Sequence, residues 1–161
     1  MLRLEAPKCA AAATPGSFAH LSCDALLPMR RPLSIMRADA SAGWIDILYK
    51  IVGPGLAALS KQPPGAVLSV MGPIGNGFRP SPARPRCLLI GGGVGIPPMV
   101  FLAESLKARR DAEWRPLVLM GGILPPGDAG CFFTESSGIL PDFPGGGTHA
   151  KPRFARVRRC S

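Results

Sequence analysis

Two histidines are all this chain has, His20 and His149. Neither lies in a carboxylate or cysteine pattern that would make it a metal ligand or a general base, so both read as structural or exposed. The five cysteines, Cys9, Cys23, Cys87, Cys131 and Cys160, are far apart and include no C-x-x-C pair. That spacing signals neither a zinc site nor a disulfide scaffold and fits a reducing compartment. Long apolar runs are missing too. No uncharged stretch exceeds 17 residues, and the one from Cys87 to Ala103 is broken by four glycines and the Pro97-Pro98 pair, so no membrane span is expected. Only a short alanine run follows Lys8, less than the roughly 7 to 15 apolar residues of a signal-peptide core. The simplest expected location is cytoplasmic.

Acidic residues number 10 against 19 basic ones, giving a net charge of +9. Much of that excess crowds into Lys151, Arg153, Arg156, Arg158 and Arg159 near the carboxyl end, without the interleaved aromatic series that a base-stacking surface needs. No nucleic-acid partner is therefore expected. What the chain does have is 47% hydrophobic residues, enough to bury a core, and 20 Gly with 19 Pro to punctuate it.

From Ser17 to Met71 short apolar runs alternate with turn signals. Phe18–Cys23, Leu33–Met36, Ile45–Val52 and Val67–Met71 read as strands, with Ile45, Ile47, Tyr49 and Ile51 alternating onto one face. Pro15-Gly16, Ala42-Gly43 and Pro64-Gly65 mark turns, and Gly55–Lys61 suits a short helix. A small antiparallel barrel or sandwich fits this pattern. The Gly/Pro/Arg-rich stretch from Gly72 to Arg86 reads as a linker. Beyond it the pattern changes to a strand-helix-strand unit: an apolar run at Cys87–Ile90, a glycine turn, a helix over Pro98–Arg110 and a second strand at Leu117–Met120. Past Gly121 no periodic segment longer than a few residues is evident.

Three segments could carry chemistry. Gly91-Gly92-Gly93-Val94-Gly95-Ile96-Pro97 joins a buried strand to a helix, where glycines let backbone approach a pyrophosphate and the helix amino end offers unpaired N–H groups. It departs from G-x-G-x-x-G at Ile96, and no acidic residue ends the second strand at Met120 to grip a ribose, so a plain tight turn stays open as a reading. Arg31-Pro32-Leu33-Ser34 offers a guanidinium fork and a hydroxyl around a rigid proline, or simply a solvated basic turn. Leu48-Tyr49-Lys50 leads into Gly53-Pro54-Gly55-Leu56, a strand end that could cradle phosphate or could be a hairpin end. Trp44, Trp114 and the methionines read as packing residues. No acid–base catalyst and no metal ligand is assigned.

Taken in order with Met71-Gly72-Pro73-Ile74-Gly75-Asn76-Gly77-Phe78, these segments resemble the ferredoxin reductase-like superfamily. The Arg-Pro-Leu-Ser and Gly-Pro-Ile-Gly-Asn-Gly-Phe forms are most similar to the dihydroorotate dehydrogenase electron-transfer subunits, over about Arg3 to Gly121. The fold this resemblance implies is β barrel plus α/β, truncated at both ends. Residues 1–78 would form an antiparallel FAD-binding barrel with its first strand missing, hence an open edge. Residues 79–121 would form a partial Rossmann-like nicotinamide-binding unit, and 122–161 a disordered Pro/Gly/Arg-rich tail.

The resemblance implies that Arg31, Pro32, Leu33 and Ser34 contact FAD, the arginine at its pyrophosphate and the serine near the isoalloxazine ring. Leu48, Tyr49 and Lys50 would line the same cofactor, with Gly55 and Leu56 offering backbone at the phosphates. Gly91 to Pro97 would meet NAD(H). The implied partner is a catalytic FMN-containing dihydroorotate dehydrogenase subunit, oxidising dihydroorotate to orotate in pyrimidine biosynthesis. Electrons would pass from it through a 2Fe-2S centre and FAD to NAD. Departures bear on this chain: Leu56 stands where the family usually has Thr, and Cys131 and Cys160 cannot form the cysteine cluster, so no 2Fe-2S centre is expected here. A general NAD(P)H-flavin, ferredoxin or hydrogenase-associated reductase, or a non-catalytic fragment, are the competing readings.

Overall fold

The computed structural model describes every residue except Ala25, 124–128, 135–152 and 159–161, with side chains described through Gly121. Leu2 and Leu4 are buried while Arg3 and Glu5 point away, the two-residue period of a half-buried strand, and Leu2–Glu5 forms β1. Pro7 opens helix α1 (Pro7–Ala12), whose Cys9 and Ala10 turn inward. Strands β2 (Phe18–Leu21), β3 (Arg31–Asp39) and β4 (Trp44–Ile47) follow, then helix α2 (Gly53–Lys61) and strand β5 (Val67–Ile74). These strands build a closed barrel in the order β1-β4-β3-β2-β5-β9, where β9 is Arg153–Arg158.

The barrel core gathers Leu2, Leu4, Ala19, Leu21, Ile35, Ile45, Ile47 and Leu68. Expected boundaries shift in instructive ways. Ile45 and Ile47 are fully buried, but β4 ends at Ile47 and Ile51 lies 57% exposed, because the chain turns toward α2 through Gly53 at φ +73°. The expected linker begins later than its glycines suggest: Gly72–Ile74 continues β5, and the Phe78 amide donates to the Pro15 carbonyl with its ring against Gly16. A Cβ on Gly16 would lie 3.0 Å from that ring, and its φ of +98° also suits glycine.

The second unit runs β6 (Leu88–Gly92), a 3-10 turn at Gly93–Gly95, helix α3 (Ile96–Ala108), β7 (Leu117–Ile123) and β8 (Ala129–Thr134). β6 and β7 pair in parallel, Leu89 opposite Val118, and β8 adds to β7 antiparallel. Leu89, Leu102, Ala103, Leu106, Trp114 and Val118 form its core.

The 122–161 segment was expected to be a disordered tail, and two parts of it are strands instead, β8 and β9. The remainder lies outside the described residues. β9 occupies the edge expected to stay open: Leu2 through Glu5 pair with Arg153 through Arg156, and Val67 through Ser69 pair with Arg156 through Arg158, both in parallel. Unpaired edge amides and carbonyls demand partners, which is the physical reason a segment without strong apolar periodicity becomes a strand here.

Candidate functional site

β3 and α2 meet at Arg31 and Gly55. A Cβ built on Gly55 would lie 2.9 Å from Arg31 Nε and 3.6 Å from its Cγ, so the missing side chain is what lets helix and guanidinium approach. The α2 amino end has no side-chain cap; Val52 precedes it in extended conformation and a proline sits in its first turn. Among the described residues Arg31 makes no ion pair. A half-buried unpaired guanidinium and an uncapped helix amino end thus stand side by side, two positive groups with no internal counter-charge.

The other expected residues group around this pair. Pro32 is exposed where β3 pairs with His20, and Ser34 is half-buried opposite Phe18. Leu33, Tyr49 and Leu56, from three separate segments, all pack on the barrel core. Leu48 is half-buried beyond β4 and Lys50 is exposed. Arg30, next to Arg31, has a bracing role: its guanidinium donates to the Ser69 carbonyl at 3.1 Å and to the Ser69 hydroxyl at 2.8 Å, tying the loop to β5. Burial pushes the nearby Cys23 thiol up, and the Arg31 charge partly offsets that.

The glycine turn belongs to the second unit. Gly91 is buried, and a Cβ there would meet the Gly95 carbonyl oxygen at 2.9 Å, Met99 Cγ at 3.1 Å and Ile96 Cα at 3.2 Å. Gly92, Gly93 and Val94 are exposed, Gly93 adopts φ +51°, and a Cβ on Gly93 or Gly95 would meet nothing within 4 Å. Ile96 and Pro97 start α3, with Pro97 buried. The turn therefore packs on its inner side through Gly91 and leaves open backbone on its outer side.

Sequence reasoning missed a row of charges. Arg3 Nε and Nη2 donate to the two Asp46 carboxylate oxygens, each at 2.7 Å, and Asp46 is fully buried. Arg37 stands opposite Asp46 in the β3–β4 register and reaches across to Glu104 on α3. The Glu104 carboxylate, and Asp46 less strongly, hold the Arg37 guanidinium charged. These partners are 43 and 67 residues apart, beyond any local signal. Among the described residues no group of His, Cys, Asp or Glu could hold a metal, and no helix is long and apolar enough to cross a membrane.

A largely antiparallel barrel followed by an α/β unit with a glycine turn is the ferredoxin reductase-like fold. A solved structure of an NADH-dependent reduced ferredoxin-NADP oxidoreductase matches 73% of this chain at TM-score 0.64 and 28% identity, using 41% of its own length. An intact type IV self-sufficient cytochrome P450 monooxygenase matches 68% at TM-score 0.54 and 23% identity, a likeness of fold alone.

In sequence the chain is similar to the electron transfer subunit of NAD-dependent dihydroorotate dehydrogenase B. The subunit of Bacillus caldolyticus is 45% identical over 101 residues, 59% of this chain and 38% of the relative. That of Desulforamulus reducens is 38% identical over 109 residues, 65% of this chain and 41% of the relative. The Listeria monocytogenes serotype 4b subunit is 41% identical over 105 residues. The chain thus spans about two fifths of the length of the curated relatives it matches. No family model matches it.

Proposed function

We propose that this chain is an electron-transfer module that binds FAD on its barrel and exchanges electrons with NAD(H) at its glycine turn. Its partner would be a catalytic dihydroorotate dehydrogenase subunit. The observation that carries this reading is the Arg31–Gly55 apposition: an unpaired guanidinium against an uncapped helix amino end fits a pyrophosphate. FAD, when bound, supplies the two-electron exchange with nicotinamide; the protein supplies binding and orientation. Arg31 and the α2 amides hold the phosphates. Pro32, Leu33, Ser34, Leu48, Tyr49, Lys50 and Leu56 form the surrounding wall, with the Ser34 hydroxyl a donor toward the ring system. Gly91, Gly92, Gly93, Val94 and Gly95 offer backbone to NAD(H), while Ile96, whose N–H is donated to the Gly93 carbonyl, and Pro97, which has no N–H, complete the turn into the helix.

The similarity to dihydroorotate dehydrogenase B electron transfer subunits supports NAD as the acceptor and a partner that carries the dihydroorotate chemistry; that the partner holds FMN is part of the proposal. The reductase structure supports FAD and nicotinamide chemistry in general. The module is proposed to act in the cytoplasm. Its iron–sulfur centre would have to come from outside this sequence, since Cys131 and Cys160 supply too few thiolates. The test is a visible absorption spectrum after incubation with FAD and gel filtration. Flavin retained near one per chain supports the module, and a colourless protein favours the non-catalytic reading.

A further inference from the structure

Helix α3 touches both units. Phe101, 9% exposed, packs into the barrel core, while Leu102, Ala103 and Leu106 pack into the core of the second unit. One turn beyond Phe101, Glu104 receives Arg37 through three hydrogen bonds: Nε to Oε1 and Oε2 at 2.9 Å each, and Nη2 to Oε1 at 2.7 Å. Arg37 is itself the end of a row of alternating charge across three strands, Arg3 on β1, Asp46 on β4 and Arg37 on β3, aligned by the Arg3–Asp46 and Arg37–Asp46 registers. Glu104 is the only acidic residue on α3.

The pair is not built for stability. Its side chains are 34% and 41% exposed, and an ion pair that open to solvent contributes little. What bidentate geometry does provide is direction, because a guanidinium fork fixes the orientation of the carboxylate it meets. Arg37 lies three residues along β3 from Ser34, and Glu104 lies on the helix that begins with Ile96 and Pro97. The strand carrying one proposed cofactor segment is thus fastened to the helix carrying the other.

We infer that Arg37 and Glu104 are positioning residues, which set the glycine turn against the flavin wall so that nicotinamide and flavin meet in register. This rests on the reading given under Proposed function. Reaction rates between two held groups fall steeply when their placement slips, even where both are still bound.

The test compares the full chain with Glu104→Gln, which keeps shape and removes charge, and with Arg37→Lys, which keeps charge and removes the fork. In flavin-free protein, hydrogen–deuterium exchange over 96–108 should quicken in Glu104→Gln, with an unchanged melting temperature. FAD affinity should stay within about twofold, and the rate of flavin reduction by NADH should fall by roughly tenfold to a hundredfold with little change in KM. Arg37→Lys should fall between the two in exchange and rate. Unchanged exchange and rate, or a loss of FAD affinity in step with the rate, overturns the inference. If the parent chain takes up no FAD, the functional reading fails, and unaltered exchange in Glu104→Gln would still sink the clamp.

Discussion

The Arg3 guanidinium lies over the Trp44 ring, 3.7 Å from its centroid, while its fork holds the fully buried Asp46 carboxylate. One arginine therefore both neutralises an interior charge and covers an aromatic face. Removing it would strip the buried Asp46 carboxylate of both hydrogen bonds and leave only the Arg37 charge, already bound to Glu104, to face it. Arg3→Leu should cost about 3 kcal/mol, toward the lower end for breaking a buried pair, because Arg3 keeps one side in water. Urea unfolding followed by tryptophan fluorescence measures it. The double variant Arg3→Leu/Asp46→Leu should be less destabilised than Arg3→Leu alone, since no carboxylate is then stranded.

At the α2 end, Gly55→Ala should weaken FAD binding without unfolding the barrel. The added methyl would press on Arg31 Nε, the far part of a flexible side chain, so the guanidinium moves and the backbone stays. Arg31→Gln removes a charge-assisted contact of about 1.5–3 kcal/mol, a loss of roughly tenfold to a hundredfold in affinity. Titration of the flavin-free protein with FAD checks both, and equal affinity in Arg31→Gln would remove Arg31 from the site.

Two substitutions in the glycine turn should separate packing from binding. Gly91→Ala meets backbone at 2.9 and 3.2 Å and should open the strand-to-helix turn, lowering stability. Gly95 has an ordinary helical φ of −84° and open space around it, so Gly95→Ala should melt like the parent chain. If NAD(H) approaches that backbone, Gly95→Ala weakens NADH binding all the same. Melting curves and NADH titration together read the contrast.

Stability should fall in mildly alkaline solution. Burial on α1 pushes the Cys9 thiol up from its ordinary value near 9 to about 11. Below pH 9 the thiol keeps its proton in both folded and unfolded chains, so the contribution is fully present. As pH rises from about 9 to 11 the unfolded thiol ionises first, and that contribution is lost. Thermal melts across this window should decline for the parent chain and decline less for Cys9→Ala.

How much of this was legible in the sequence depends on the range of the interactions concerned. The alternation of Ile45 and Ile47 and the helical spacing of Leu102, Ala103 and Leu106 are local patterns, and they placed β4 and α3. The order of the Arg31, Tyr49, Gly55 and Gly91 segments pointed to the fold through resemblance. The Gly55 contact with Arg31 could not be read, because a missing Cβ signals closeness without naming the neighbour. Arg37 with Glu104 was invisible for the same reason: each charge alone looks like a solvated surface residue. β9 was obscured by its five-residue basic setting, since its strand state is dictated by the vacant edges of β1 and β5 rather than by its own composition.

The double burial of α3 bears on modularity. A glycine- and proline-rich connection such as Gly72 to Arg86 looks like a natural place to divide the chain into two transplantable parts. Cutting there would strip Phe101 from the barrel interior and leave the other part with an aromatic ring facing water. The useful seam runs instead along one helix, between Phe101 and Leu102, where no scissors can follow it. Recombination that respects this architecture must carry α3 with both of its neighbours, so the two units are inherited as a single piece.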